Sequence, residues 1–454
     1  MHAMNTSIFP FANLRALMFA GSLWAGGCSS QPLEPYQPLP FDGGTESGDA
    51  QPFHRDVSAD ASSDPIDAGY CLPDSCGSNV ILRGRDGPSA REGLCLDFEE
   101  VGDAVGLGGM ETPSGVSVVD DNRDGRPDIY LLGGVSNRFF RNGGGAFADI
   151  SAAAGLNVGG DSRDAAWGDY DGDGDLDLLL VGSGGSHLYR NVGGIFSILP
   201  EDVGIHNLEA GRTAVWLGVN LYLSTENGTR LYRPLGADRF EEASRTVGLD
   251  DPGDGSAIAV EDYDGDGRED IYLANTTGQN RLFRDRGDGT YESTETATEA
   301  VGPGSSTDAV WVRIQEELRP SLYIANFAGG NQLYLNRLDR FDDQAAVLGV
   351  RDPGNTTRAA WGDFAGDRRP ALFLGRWDQP NLFYLPVLDA SGAVTRYIES
   401  AHPLGMDLTA RTVGARVLDY DGDSRPDLLV VFTTGLRLYH NISRTIRLCP
   451  EEDR

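Results

Sequence analysis

Short runs of alternating apolar and polar residues, closed off by Gly and Asn, recur along most of this chain. The clearest cycle is Phe147–Phe196. Phe147-Ala148-Asp149-Ile150 predicts a strand and Ala154-Gly155-Leu156 a turn. Ala165-Ala166-Trp167 opens a second strand, and an acidic stretch leads into the apolar Leu178–Val181. Gly182–Ser186 then turns the chain into His187-Leu188-Tyr189-Arg190-Asn191 before Phe196 begins again. Period-two alternation between turn residues is the signature of strands. Four short strands per repeat predict a propeller blade.

The strand ending each cycle is found at Phe139–Asn142, Leu188–Asn191, Leu231–Pro234, Leu282–Asp285, Leu333–Asn336, Leu382–Leu385 and Leu438–Asn441, which predicts seven blades. The fold class is therefore all-β, a seven-bladed propeller of four-stranded antiparallel blades over residues 98–449. Trp216, Trp311 and Trp361 fall where Trp167 does and are read as packing between blades. Phe98-Glu99-Glu100-Val101 precedes the first blade, and the last blade lacks a clear fourth strand. That N-terminal segment is expected to complete blade seven and remove an open edge, the tail Ile442–Leu448 being the alternative.

The acidic stretch is Asp169-Tyr170-Asp171-Gly172-Asp173-Gly174-Asp175-Leu176-Asp177. Carboxylates at loop positions 1, 3, 5 and 9, Gly at 6 and a carbonyl at 7 are the oxygen set that calcium takes. An EF-hand would carry Glu at position 12 between two helices, whereas here that position is Leu180 in a strand. Three more copies follow the rule: Asp120, Asn122, Asp124, Arg126 and Asp128; Asp262, Asp264, Asp266, Arg268 and Asp270; Asp419, Asp421, Asp423, Arg425 and Asp427. The residue at position 7, Arg126, Asp175, Arg268 or Arg425, is expected to give its backbone carbonyl. About four structural calcium ions are predicted, against the plainer reading of acidic turns without metal. Blade three shortens the loop to Gly218-Val219-Asn220, and blade five has no Asp from Arg313 to Ser321. Blade six keeps Asp363 and Asp367 but carries Ala365 and Ala371 at two ligand positions, so no tight ion is expected there.

Charge and cysteine use change the picture outside the repeats. The formal charge is −32, and all 37 basic residues are Arg. This balance disfavours nucleic acid and anionic membrane surfaces as partners, and the absence of Lys removes Schiff-base and P-loop chemistry. Residues 1–28 predict an export signal, with Arg15 before the apolar Ala16–Trp24. Ala25-Gly26-Gly27-Cys28 resembles a bacterial lipoprotein processing site, with Cys28 lipidated; plain secretion is the alternative. Residues 29–70 are rich in Pro, Ser, Gly and Asp and predict an extended acidic tether. A lead-in with cysteines occupies residues 71–97. Cys71, Cys76, Cys95 and Cys449 allow three pairings. One of them joins Cys71 to Cys76 and Cys95 to Cys449, stapling the chain ends.

The strand–Asp-x-Asp-x-Asp-Gly-x-x-Asp–strand pattern, with Leu-Tyr-Arg-Asn and Gly-Gly-x-Phe, resembles the FG-GAP/VCBS repeat of integrin α chains and many bacterial surface proteins. The Ala-Gly-Leu and Gly-Asp-Tyr-Asp-Gly-Asp-Gly variant is similar to the cartilage acidic protein group, over roughly Phe98 to Asn441. The resemblance implies a seven-bladed propeller and structural calcium but no single activity. The C-terminal domain usual in that group has no counterpart before Arg454, so its function does not transfer.

The six His, His2, His54, His187, His206, His402 and His440, share no motif, and no Gly-x-Ser-x-Gly, His-Glu-x-x-His or Cys-x-x-Cys occurs. Two functions remain: a membrane-tethered, monomeric binding or adhesion scaffold for a surface protein or glycan, or a calcium-dependent polysaccharide-cleaving enzyme. Trp377, Asp378 and Asn381 are candidate glycan contacts, and Arg163, Arg212 and Arg358 form a candidate anion-attracting ring at the channel mouth, with surface ion pairs as the alternative.

Overall fold

The computed structural model describes residues 80–83, 91–109, 112–205, 209–236, 238–294, 305–314, 319–337, 340–389 and 391–448. These belong to the second of two compact units, Ala68–Arg454. The expected signal, Cys28, the tether and Cys71, Cys76 and Cys449 lie outside the described residues.

Seven four-stranded antiparallel sheets follow one another, each a simple meander except the last. The second strand of a blade is buried along nearly its whole length and has an apolar centre, as in Asp177–Gly182 and Ser321–Asn326, because a neighbouring blade covers each of its faces. Seven apolar clusters fill the blade interfaces. One of them joins Leu429, Val431 and Leu438 of blade seven to Val116, Ile129, Leu131 and Phe140 of blade one, which closes the ring. The first strands run so close there that a Cβ on Gly414 would lie 2.6 Å from Val116 Cγ1.

Phe98–Glu100 pairs with Gly435–Asn441, with Phe98 opposite Asn441, and supplies the fourth strand of blade seven. The tail does something else. Arg444–Leu448 pairs with Arg91–Cys95, which pairs with Val80–Arg83, in a separate three-stranded sheet. In this register Arg444 faces Cys95 and Leu448 faces Arg91, about 13 Å along the strand from Cys95. Cys95 is disulfide-bonded. Cys449, its expected partner, lies outside the described residues, and main-chain hydrogen bonds join Arg91–Cys95 to Arg444–Leu448.

The Trp expectation holds. Trp167 stacks on Phe139 of blade one at 5.6 Å and donates through Nε1 to Ser117 Oγ at 3.0 Å. Between Phe147–Asp149 and the Gly155 turn the chain adds a short helix, Ser151–Ala154, with counterparts at Ser244–Val247 and Ala345–Leu348. In blade six the register places Tyr384 opposite Leu372, as Tyr189 is opposite Leu178, so its repeat motif is Phe383–Pro386, one residue later than expected.

Candidate metal centres

Each acidic loop joins the first and second strands of its blade, and its ninth residue, Asp128, Asp177, Asp270 or Asp427, is the first residue of the second strand. That strand is central, so all four carboxylates are buried. One oxygen of each accepts a backbone N–H from the third strand: Asn142 at 2.7 Å, and Asn191, Asp285 and Asn441 at 2.8 Å. The first residue of the loop folds it. Asp262 accepts from the N–H of Gly265, Asp266 and Gly267, and Asp419 from Gly422, Asp423 and Ser424. Positive φ at position 6 suits Gly125, Gly174 and Gly267, and Ser424 adopts it at 68°.

Positions 1, 3 and 9 converge. Oxygens of Asp169, Asp171 and Asp177 lie within 4.8 Å of one another, as do those of Asp262, Asp264 and Asp270, and of Asp419, Asp421 and Asp427. These acidic clusters are able to hold a metal ion. Asp421 and Asp423 form a further group with His440. Position 5 is less available. Arg268 and Arg425, at position 7, turn back onto Asp266 and Asp423. One oxygen of the Asp175 side chain, Oδ2, accepts from Gly193 N–H at 2.7 Å.

Burial pushes the carboxyls of Asp128, Asp177 and Asp270 up to about 7 and that of Asp427 to about 6. Neighbouring carboxylates add to the shift: Asp121 beside Asp128, Asp171 beside Asp177 and Asp264 beside Asp270. Asp128 Oδ2 and Asp270 Oδ2 are buried without a hydrogen-bond partner. All-oxygen groups with orphaned buried carboxylate atoms fit a hard divalent cation, whose charge would reverse these shifts.

The third strand carries a feature that its sequence motif signals and strand reading missed. Its Arg or His meets the acidic loop: Arg141 on Asp121 at 2.6 Å, Arg190 on Asp171 at 2.5 Å, Arg284 on Asp264 at 2.6 Å and His440 on Asp421 at 3.1 Å. Blades five and six, which lack the acid set, place Leu335 and Leu385 there. The next residue latches blades together. Asn142 Nδ2 donates to Tyr420 O at 2.7 Å, Asn336 Nδ2 to Tyr263 O at 2.8 Å and Asn441 Nδ2 to Phe364 O at 2.9 Å, each in the loop of the preceding blade.

In blade six Asp363 still accepts from Asp367 and Arg368 N–H, so the turn forms while Ala365 and Ala371 pack in an apolar cluster. Of the other candidates, Asn381 is buried and accepts from Arg376 N–H and Thr412 Oγ1, a structural role. Trp377 stacks under the Arg411 guanidinium, 3.4 Å from the ring centre, and meets Phe327 edge-on. The three arginines of the expected ring all line the central channel, but Arg163 pairs with Glu226 at 3.0 Å and Arg212 with Asp254 at 2.9 Å, whereas Arg358 donates to Thr357 O.

Comparison with known proteins agrees with the fold. A model described as an FG-GAP-like repeat matches residues 120–180, 214–273 and 262–314. No curated protein matches. Similar solved structures include BBS1N in complex with ARL6DN, 13% identical over 76% of this chain and 96% of that one, with a TM-score of 0.48. PorZ, a surface component of the type-IX secretion system of Porphyromonas gingivalis, is 10% identical over 74% of this chain and 39% of its own, with a TM-score of 0.44. YCF48 bound to D1 peptide is 10% identical over 81% and 99%, with a TM-score of 0.45. The chain is a seven-bladed β-propeller that carries FG-GAP-like repeats in the matched regions.

Proposed function

We propose that this protein is a calcium-stabilised, non-enzymatic binding scaffold, exported and tethered through Cys28, that holds a surface protein or glycan. Calcium would be held by Asp169, Asp171 and Asp177, and by their counterparts in blades one, four and seven, and would supply charge that lets buried carboxylates ionise. Its role there is structural, since the ion fixes the turn and the turn is latched to the next blade.

One observation carries the reading. All the acidic loops join first to second strands, so they open on one face of the ring. Trp377, which follows Ala371–Arg376, and Arg411, which precedes Thr412–Leu418, lie on the other. The second face is free to bind while the first is committed to the fold. A flat ring held by Arg over Trp, beside the partly buried Phe327, is chemistry suited to a sugar face or a peptide side chain.

The test is a glycan and surface-protein array probed with the full chain, wild type and Trp377→Ala. Binding that is lost in Trp377→Ala, with an unchanged thermal response to calcium, is expected. Binding that survives this substitution, or turnover of a bound polysaccharide, would overturn the proposal.

A further inference from the structure

The first strands of all seven blades line a central channel with a cavity of about 240 Å³. Besides Arg163 and Arg212, two further guanidiniums line it, those of Arg358 of blade six and Arg416 of the adjacent blade seven. Each of these two makes one hydrogen bond, to the carbonyl of the residue before it: Arg358 Nη1 to Thr357 O at 2.7 Å and Arg416 Nη1 to Ala415 O at 2.9 Å. Neither has an ion-pair partner among the described residues, unlike Arg163, which pairs with Glu226, and Arg212, which pairs with Asp254.

Two carboxylates share the channel wall, but the backbone has taken them. Asp164 accepts from Ala165 N–H at 2.9 Å, Thr213 Oγ1 at 2.8 Å and Ala214 N–H at 3.2 Å. Asp308 accepts from Ala309 N–H at 3.0 Å and Ala359 N–H at 3.1 Å. They tie blade two to three and blade five to six. A guanidinium carries five donors in a planar fork, so most donors of this pair remain uncommitted. Burial and the neighbouring Arg416 both work against the charge on Arg358, with Asp308 opposing them.

We infer that the central channel is a binding site for a small oxyanion, of the sulfate, phosphate or carboxylate class, held between Arg358 and Arg416. Such a ligand accepts several N–H groups at once and offsets the repulsion between the two guanidiniums. The site is distinct from the Trp377 surface, so either can fail without the other.

The experiment is calorimetric titration of the full chain in calcium at constant ionic strength, with sulfate as a tetrahedral probe and acetate as a planar one. One saturable site per chain is expected, weakened about ten-fold or more in Arg358→Gln and in Arg416→Gln, because a charge-assisted pair contributes on that order. Arg163→Gln is expected to bind within about two-fold of wild type, its guanidinium being paired with Glu226. A second readout needs no variant: arginine-selective labelling of the wild type, in which sulfate should protect Arg358 and Arg416. Absence of saturable binding by either probe, unchanged affinity in Arg358→Gln with its calcium-dependent melting retained, or labelling indifferent to sulfate would overturn the inference.

Discussion

Replacing Asp128 by Asn separates what the ion does from what the fold does. The Asp128 side chain is 1% exposed, one oxygen accepts Asn142 N–H at 2.7 Å, and burial with the Asp121 contact pushes its carboxyl up to about 7. In an unfolded chain the same group titrates near 3.9. The metal-free native state therefore holds a proton that the unfolded state has released, and stability falls as pH rises from about 4 to about 7. The difference between these two titration points corresponds to about 4 kcal/mol, and relaxation and water entry reduce this to about 2 kcal/mol. The substituted amide would keep the bond from Asn142, carry no charge to desolvate, and offer its Nδ2 towards Asp121. Metal-free at pH 7.5, Asp128→Asn should be more stable than wild type by about 2 kcal/mol, or about 3 °C in Tm for roughly 350 folded residues. In millimolar calcium the order should reverse, since the amide gives the cation less. Differential scanning calorimetry at pH 5 and 7.5, with and without calcium, reads all four corners. A variant less stable than wild type by the same amount in every corner would refute the reasoning, as would a metal-free wild type indifferent to pH.

Further outcomes are open to measurement. Asp171→Ala and Asp264→Ala should each lower Tm in calcium and hardly move it in chelator; equal losses in both would remove the ion from the account. Gly168→Ala should destabilise by about 1–3 kcal/mol, because its Cβ would lie 2.4 Å from the Trp216 ring, and denaturant titration measures it. Phe98→Ala should cost about 2–3 kcal/mol by removing edge contacts to Phe364 at 5.5 Å and Phe383 at 6.0 Å, read as a lower urea midpoint at constant slope.

The blades and loops were legible because a repeat states the same pattern several times. Phe98 as the closing strand was legible by counting, since the first cycle had a strand too many and the last one too few. What escaped rests on contacts between distant segments. Nothing local marks Arg91–Cys95 as the partner of Arg444–Leu448, and their register exists only once they pair. The helices at Ser151–Ala154, Ser244–Val247 and Ala345–Leu348 are single turns, too short for a 3.6-residue period to declare itself. The cation facing each loop was in view: Arg141, Arg190, Arg284 and His440 accompany the acids, and Leu335 and Leu385 stand there in blades five and six, although blade three keeps Arg233 without the acids. Fates of individual arginines were not, because only three dimensions show that Arg212 finds Asp254 and Arg358 does not.

Pairing of Phe98–Glu100 with Gly435–Asn441 bears on how the molecule is made. The segment synthesised before any blade must wait, its main-chain groups unmatched, until the last sector has emerged, and only then does the wheel lock. Until that moment six complete sectors sit beside a seventh that lacks its outer strand. The slow event in assembly is thus a meeting of early and late chain, and lesions at either end should delay the same step.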